Sequence, residues 1–312
     1  MTPEFGAGFD AEFDAGFDSG FDSIAAAIAE RTGALFTACS ASPVSGGSIH
    51  RAWHIDDGFR HYFVKTNELP AAPMFAAEAQ GLQALSAAGM VRTPTLVALG
   101  HTETQAFLVL EYLDLATLDQ QGGAELGAAM AGLHRVTGAS FGWTGDNFIG
   151  ATPQHNAPHP SWPHFFGERR LRPQLQLALQ NGMDKTLVAK GCAVIERIGG
   201  LFIDYRPAPS LLHGDLWSGN AAQRHDGMPV IFDPACYYGD RETDIAMTEL
   251  FGGFPASFHV AYRSAWPLDS GYETRKPLYN LYHILNHFNL FGSAYLGQAQ
   301  RMIERLLAEL KR

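Results

Sequence analysis

Two apolar stretches in the second half of the chain each run into an acidic residue, and their spacing limits the possible folds. The first, at residues 211–220, reads L-L-H-G-D-L-W-S-G-N and contains Asp215 and Asn220. The second reads V-I-F-D-P and contains Asp233, thirteen residues after Asn220. Because each apolar run delivers a carboxylate at its end, we expect Asp215, Asn220 and Asp233 to lie close together in the folded chain.

This arrangement is typical of a phosphotransferase catalytic loop followed by a metal-binding aspartate. Asp215 can accept the proton of an attacking hydroxyl, and Asn220 and Asp233 offer the oxygen ligands that Mg²⁺ prefers. With Asp215 in the role of the base, His213 is predicted to be a structural support. Asp244 is predicted to cap backbone N–H groups of the catalytic loop, or else to be an ordinary acid at a helix start. Taken alone, H-G-D is also compatible with a simple turn.

Composition narrows the functional class. The chain has 312 residues, of which 46% are hydrophobic and 17% charged, as in globular proteins of one large domain or two lobes. A net charge of −10 disfavours a nucleic-acid partner. Three dispersed cysteines, no long apolar run and no signal-peptide pattern lead us to expect a reduced, cytoplasmic protein without a membrane segment. The simplest interpretation of Cys39 is a buried strand thiol.

Residues 1–22 form a repetitive extension in which Phe recurs every four residues from Phe5 to Phe21, and from Phe9 onward each Phe is followed by Asp. Glycines weaken a helix there, so we interpret the segment as low-complexity sequence outside the catalytic fold. An aromatic tail that binds a partner is the alternative. A short helix is predicted to begin at Asp22 or Ser23 and to end near Gly33.

The amino-terminal part of the chain combines a glycine-rich turn with a predicted hairpin. Ser45, Gly46, Gly47 and Ser48 precede two predicted strands at residues 49–55 and 59–65, joined through an Asp-Gly turn. Backbone N–H groups in such a turn can contact phosphates, although the pattern is not a Walker loop and is also compatible with a plain turn.

A lysine and a glutamate are the candidates for a phosphate-binding ion pair. Lys65 ends the second predicted strand, and Glu78 lies in an otherwise apolar stripe of the helix that follows, with Pro73 in its first turn and Gly89 beyond its end. A carboxylate in an apolar stripe is costly without a cation, and Lys65 is the natural partner. A solvated lysine at a strand end is the alternative for Lys65.

Further along, two predicted strands at residues 94–100 and 107–111 lead into a helix at residues 122–135. At such a strand-to-helix passage, kinases join their lobes and bind adenine through the main chain, and we assign that role to Glu111 and Leu113. Residues 140–164 are predicted to form a long loop whose histidines are solvated rather than metal-bound. Helices are predicted at residues 165–179, 184–203, 278–296 and 302–310.

Two features narrow the acceptor. Only about ten residues separate Asp233 from Asp244, which leaves no room for the activation segment with which protein kinases dock a peptide. Trp217 occupies the catalytic loop, where it can stack on a sugar ring or anchor the loop in the core. Both features favour a small molecule or a modified amine that carries a hydroxyl.

The sequence resembles the fructosamine/ketosamine 3-kinase family from about residue 24 to the carboxyl terminus. The most specific matches are F-G-W-T-G-D-N-F-I-G at residues 141–150 and L-L-H-G-D-L-W-S-G-N at residues 211–220. Shorter matching strings lie at residues 44–49, 62–65, 74–82, 108–113, 165–175 and 230–246.

The resemblance implies an α+β, bilobal, protein-kinase-like fold, with a small antiparallel-sheet lobe at residues 23–113 and a larger helical lobe at residues 114–312. It also implies phosphorylation of the 3-hydroxyl of ketosamines by Mg-ATP, which leads to deglycation of the amine. It makes Asp215 the base, and it places Trp217 and the 141–150 loop, including Asp146 and Asn147, against the sugar.

Two other functions remain open from the sequence. The chain could be a kinase of the same fold that phosphorylates another alcohol, such as an aminoglycoside or choline. It could also be a nucleotide-binding pseudokinase scaffold. The oligomeric state and the choice among ribulosamine, erythrulosamine and fructosamine acceptors do not follow from the residues.

Overall fold

The computed structural model describes residues 17–45 and 49–311. Gly46, Gly47, Ser48 and most of the predicted extension therefore lie outside the described residues. The helices are α1 (Phe17–Thr32), α2 (Ala72–Ala88), α3 (Gln120–Leu133), α4 (Trp162–Phe166), α5 (Arg172–Gln180), α6 (Lys185–Arg197), α7 (Glu242–Leu250), α8 (Ala256–Ala265), α9 (Tyr272–Phe291) and α10 (Leu296–Glu309). Short 3₁₀ turns lie at Leu69–Ala71, Ile198–Phe202, Ser218–Asn220 and Ser293–Tyr295, and a π-helical turn lies at Gly167–Leu171.

The strands are short and pair in antiparallel fashion. They are β1 (Ser40–Val44), β2 (Arg51–Asp56), β3 (His61–Glu68), β4 (Leu96–His101), β5 (Gln105–Glu111), β6 (Leu115–Ala116), β7 (Asn147–Ile149), β8 (Thr152–Gln154), β9 (Ser210–Leu212), β10 (Ala221–Arg224), β11 (Pro229–Ile231) and β12 (Tyr237–Gly239). This mixture of one antiparallel-sheet unit and one helical unit confirms the predicted α+β class.

The first compact unit comprises the chain up to Phe75 together with Leu96–Tyr112. Its sheet has the strand order β1-β2-β3-β5-β4, and the predicted hairpin at residues 49–65 is confirmed as β2 and β3. Helix α1 packs on β4 and β5. The buried core between helix and sheet includes Ile24, Ile28, Phe36, Ile55, Val64, Phe107 and Val109.

The second unit comprises Ala76–Thr95 and Leu113–Arg312. Most of α2 groups with this unit, whereas the predicted division placed it in the amino-terminal lobe. The physical reason is close packing, because Cys236 Sγ lies 3.7 Å from the carbonyl oxygen of Gly81. In addition, Arg92 forms a parallel β-bridge with Val230.

Helix α9 is the central element of the second unit, since most of its twenty residues are buried. Helices α3 and α8 approach closely because Gly127 has no side chain. A Cβ at that position would lie 2.2 Å from the carbonyl oxygen of Phe258.

The structure differs from the sequence-based predictions in several places. Residues 140–164 contain the β7–β8 hairpin, and α8 had no predicted counterpart. Cys39 is exposed rather than buried, because it precedes β1, whose residues are exposed or half-buried at the edge of the sheet.

Helix α1 also begins earlier than predicted. It covers Phe17–Thr32, so the predicted start at Asp22 or Ser23 is wrong and the last part of the 1–22 segment belongs to the fold. The reason is apolar packing, because Phe21 lies against the core of the first unit. Its ring centroid lies 5.4 Å from that of Trp53, edge to face.

We therefore expect Phe21→Ala to lower the free energy of unfolding by about 1–2 kcal/mol, the loss expected for a half-buried aromatic side chain and its edge-to-face contact. Phe59→Ala is the matched control, because Phe59 is 92% exposed and should change stability by less than about 0.5 kcal/mol. Urea unfolding of both variants checks this. Equal stabilities of the two variants would show that Phe21 does not pack on the core.

Candidate active site

The H-G-D segment lies between a buried strand and a close-packed turn. Strand β9 runs directly into His213 and pairs with β12, with Leu212 opposite Tyr237. Gly214 follows in the left-handed region, with φ +85°, and a Cβ at this position would lie 2.1 Å from the carbonyl oxygen of Ala235. Only glycine satisfies both the conformation and the space, so the turn presents Asp215 in one orientation.

The buried carboxylate of Asp244 stabilises this turn. It is 1% exposed and accepts hydrogen bonds from the backbone nitrogens of His213 and Gly214, at 2.8 and 2.9 Å. His134 Nε2 lies 3.1 Å from it. Burial alone would raise the pKa of Asp244, but the hydrogen bonds from His134 and Gly214 lower the pKa below its usual value.

His213 is buried as a neutral ring. Its Nε2 donates to the carbonyl oxygen of Phe232 at 2.9 Å, and its Nδ1 accepts from the backbone nitrogen of Asp215 at 3.3 Å. These two partners define the Nε2–H tautomer. Burial lowers the pKa of His213, so the ring supports the loop and does not act as a base.

The structure brings together Asp215, Asn220 and Asp233. The side-chain nitrogen of Asn220 donates to the backbone oxygen of Asp215 at 2.9 Å and to its carboxylate at 3.2 Å. The same nitrogen lies 3.5 Å from the backbone oxygen of Asp233. Asp233 has φ +56° and is the one non-glycine residue with positive φ in the described part of the chain. Strain of this kind concentrates at functional sites.

Burial and a neighbouring carboxylate change the acidity of Asp215. Burial and the charge of Asp233 raise its pKa to about 7, although 23% of the Asp215 side chain is exposed. A carboxyl group with a pKa near neutrality can hold and release a proton at physiological pH. The site therefore contains a candidate general base beside two groups that offer oxygen ligands.

His283 on α9 belongs to this site and was missed by sequence reasoning. Its Nδ1 lies 3.9 Å from the carboxylate of Asp215, and burial together with His287 lowers its pKa to about 3. A signal was present in the sequence, because His283 lies in the middle of the apolar run L-Y-H-I-L at residues 281–285. Polar side chains on a buried helix face require partners, which makes them candidates for a site.

Trp217 projects from the catalytic loop with 38% of its surface exposed. Its ring lies over Gly219, where a Cβ would come within 2.2 Å of it. The indole is therefore not an anchor in the core, and its free surface can contact a flat or ring-shaped ligand.

The two predicted sugar contacts in the 141–150 loop differ in their surroundings. Asp146 is 56% exposed and pairs with His155 at 2.8 Å. Asn147 is buried, and its nitrogen donates to the carbonyl oxygen of Cys236 while its oxygen accepts from Gln154 and Asn156. The amide of Asn147 is thus used within the protein, so we do not retain it as a substrate contact.

The residues predicted to bind nucleotide fall in both units. Lys65 on β3 is buried, 6% exposed, and pairs in register with Leu108. Glu78 lies half-buried on α2. Glu111 ends β5, Leu113 begins the longer segment of the second unit, and Ser45 lies exposed after β1. Their nucleotide contacts stay predictions.

Comparison with known proteins identifies the family. Residues 20–309 match the fructosamine kinase family. A probable ketoamine kinase of Synechocystis is 46% identical over 285 residues, covering 91% of this chain and 96% of that protein. The chloroplastic protein-ribulosamine 3-kinase of Arabidopsis thaliana is 41% identical over 271 residues, covering 86% and 82%. The chain belongs to the fructosamine kinase family.

Solved structures agree with this assignment. A Haemophilus somnus protein provisionally named fructosamine-3-kinase superposes with a TM-score of 0.87 at 31% identity, covering 93% of this chain and 99% of that one. A Thermobifida fusca protein with the same provisional name superposes with a TM-score of 0.81 at 29% identity, covering 92% of this chain and 99% of that one. An aminoglycoside phosphotransferase gives 0.62 at 17% identity, covering 93% and 98%, which shows the shared kinase-like fold alone.

As a member of the fructosamine kinase family, the chain is a phosphotransferase with an alcohol group as acceptor. Among the described residues, no helix combines the length and the hydropathy needed to span a bilayer.

The close packing of Gly214 gives a direct test of the loop geometry. Gly214→Ala should lower the free energy of unfolding by roughly 2–4 kcal/mol, because the methyl group meets both a left-handed backbone and the carbonyl oxygen of Ala235. Gly227→Ala is the control, since Gly227 has φ +86° with no atom within 4 Å of the added Cβ. It should cost only about 1 kcal/mol. Urea unfolding measures both, and equal losses would contradict the packing.

Proposed function

We propose that this member of the fructosamine kinase family transfers the γ-phosphoryl group of ATP to the 3-hydroxyl of ketosamines, the ribulosamine- and fructosamine-type products of sugar–amine condensation. The observation that carries the proposal is the cluster of Asp215, Asn220 and Asp233, with Asp244 holding the turn that presents Asp215. The relatives named ketoamine kinase and protein-ribulosamine 3-kinase support the acceptor class.

Asp215 is the proposed general base. Its ionised carboxylate can accept the proton of the acceptor hydroxyl as the oxygen–phosphorus bond forms. ADP leaves with the electrons of the broken bond. The hydrogen bond from Asn220 to the Asp215 carboxylate fixes its orientation. His283, at 3.9 Å from the other carboxylate oxygen, is neutral and limits the positions that an acceptor can take.

Asn220 and Asp233 are the proposed Mg²⁺ ligands. Their donor set fits this ion, because both offer hard oxygen atoms next to a loop already crowded with negative charge. The side-chain nitrogen of Asn220 is used by Asp215, so the amide oxygen is the atom left for a cation. Bound Mg²⁺ would neutralise charge on the triphosphate. The negative charge of Asp233 raises the pKa of Asp215. A bound cation would reduce this repulsion between the two carboxylates.

Trp217 and Asp146 are the proposed acceptor contacts. The indole of Trp217 is exposed beside the base and can stack on the sugar portion of a ketosamine. Asp146 is exposed, and its pKa is lowered by hydrogen bonds from His155 and Asn156 despite partial burial. It therefore offers an ionised carboxylate to sugar hydroxyls. The short interval between Asp233 and Asp244 leaves no peptide-docking segment.

For the nucleotide, Ser45, Gly46, Gly47 and Ser48 are proposed to contact phosphates through backbone N–H groups, and Lys65 through its ammonium group, with Glu78 as its supporting carboxylate. The main chain of Glu111 and Leu113 is proposed to bind adenine. These assignments rest on the family resemblance and on sequence position.

Activity assays with a panel of candidate acceptors test the proposal. With Mg-ATP, we expect ribulosamine and fructosamine derivatives to be phosphorylated on C3, as read by NMR of the product. Aminoglycosides and choline should be used at least about 100-fold less efficiently, because the site would leave ketosamine-binding groups unpaired. Preference for an aminoglycoside or choline would contradict the acceptor class. ATP binding without any turnover would indicate a pseudokinase.

The Asp215→Asn variant links that activity to the site. Loss of the general base should lower kcat by roughly 10²–10⁴-fold, while the affinity for nucleotide changes by no more than about twofold. Asp226→Asn, in the exposed turn between β10 and β11, is the matched control and should retain wild-type kcat. Equal activities of the two variants would remove Asp215 from the mechanism.

A further inference from the structure

A cluster of two histidines and one aspartate lies on the β2–β3 hairpin, in the first unit. His54 and Asp56 are on β2 and His61 begins β3, directly opposite Asp56 in the strand register. One ligand atom from each of the three side chains lies within 4.8 Å of the others. His54 and Asp56 are half-buried, whereas His61 is exposed, so the cluster is open to solvent.

The hairpin places these side chains close together. His54 and Asp56 are two residues apart on one strand and therefore share a face of the sheet. His54 also packs on Tyr112, with ring centroids 4.1 Å apart. Its Nε2 lies 3.0 Å from Nδ1 of His61. Two imidazole nitrogens bound to one Zn²⁺ at about 2.0–2.1 Å in tetrahedral geometry are separated by roughly 3.3 Å, so small side-chain movements suffice.

Hydrogen bonds from two neighbouring groups orient the carboxylate of Asp56. Ser40 donates to one carboxylate oxygen of Asp56, and the backbone nitrogen of Gly58 donates to the other at 3.0 Å. A carboxylate has further lone pairs, and such supporting hydrogen bonds are typical around metal ligands. The nearby Arg60 is paired with Asp57.

We propose that His54, Asp56 and His61 form a binding site for a late first-row divalent cation, with Zn²⁺ as the representative ion and water completing its coordination. Two imidazoles and a carboxylate are ligands suited to Zn²⁺ and disfavoured by Mg²⁺, which takes oxygen ligands. The ion would join β2 to β3 and stabilise the hairpin. This site is separate in ligand chemistry from the oxygen-only set of Asn220 and Asp233.

Calorimetric titration of Zn²⁺ into the untagged full-length chain, at millimolar Mg²⁺, tests the proposal. We expect a site in the wild type that is absent from the His54→Ala/His61→Ala double variant, and an affinity loss of at least about tenfold in each single variant. His101→Ala is the matched control, because His101 is an exposed histidine of the same sheet outside the cluster. It should bind Zn²⁺ as the wild type does.

A second readout covers the case in which an alanine variant is less stable. Asp56→Asn keeps one acceptor oxygen for the backbone nitrogen of Gly58, and its side-chain nitrogen can donate to the hydroxyl of Ser40. It removes the negative charge and should also weaken Zn²⁺ binding by at least about tenfold. Zn²⁺ should raise the Tm of the wild type and of His101→Ala, and leave that of the double variant unchanged. No Zn²⁺ binding by the wild type, or equal binding by wild type and double variant, would overturn the proposal.

Discussion

Asp244 carries a negative charge into the interior of the second unit, where the backbone N–H groups of His213 and Gly214 and the ring of His134 surround it. A buried carboxylate without such partners would cost several kcal/mol. The charge is therefore stable only when the H-G-D turn adopts the observed conformation. In this way one buried side chain couples the folding of α7 to the geometry of the loop that presents Asp215.

The contrast between Asp244 and Asp215 shows how environment assigns different roles to the same residue type. Hydrogen-bond donors surround Asp244 and lower its pKa, so it stays ionised as a structural anion. Asp215 receives one donor, from Asn220, and faces Asp233, so burial and like charge raise its pKa to about 7. Carboxylates whose pKa values are pushed apart in this way are typical of acid–base sites. In the proposed mechanism, Asp215 accepts the proton of the acceptor hydroxyl, whereas Asp244 stays ionised and holds the loop.

Local sequence patterns predicted the elements that depend on short-range rules. The hairpin of β2 and β3 follows from the Asp-Gly turn between two strand-like segments, and α2 from its Pro73 start and Gly89 stop. The cluster of Asp215, Asn220 and Asp233 follows from motif spacing. Prediction failed where tertiary packing decides the outcome. Phe21 extends α1 because it meets Trp53, a residue remote in sequence.

The same reason explains the remaining differences between the structure and the sequence-based predictions. The polar partners of Asn147 come from residues 154, 156 and 236, and no local pattern shows that they satisfy its amide. His283 reaches Asp215 from a helix near the end of the chain, so only the fold brings the two side chains together. The exposure of Cys39 depends on its place beside an edge strand, which the sequence around it does not specify.

The role of Asp244 in holding the catalytic loop is tested most directly by amide hydrogen exchange at residues 213 and 214 in the Asp244→Asn variant. Asparagine replaces one acceptor oxygen with a donor nitrogen, so at least one of the two backbone hydrogen bonds to the side chain must be lost. A hydrogen bond to a charged group contributes about 1.5–3 kcal/mol, so the exchange rate should rise by at least about tenfold at one or both amides. Unchanged protection of both amides would contradict the claim that Asp244 holds the catalytic loop.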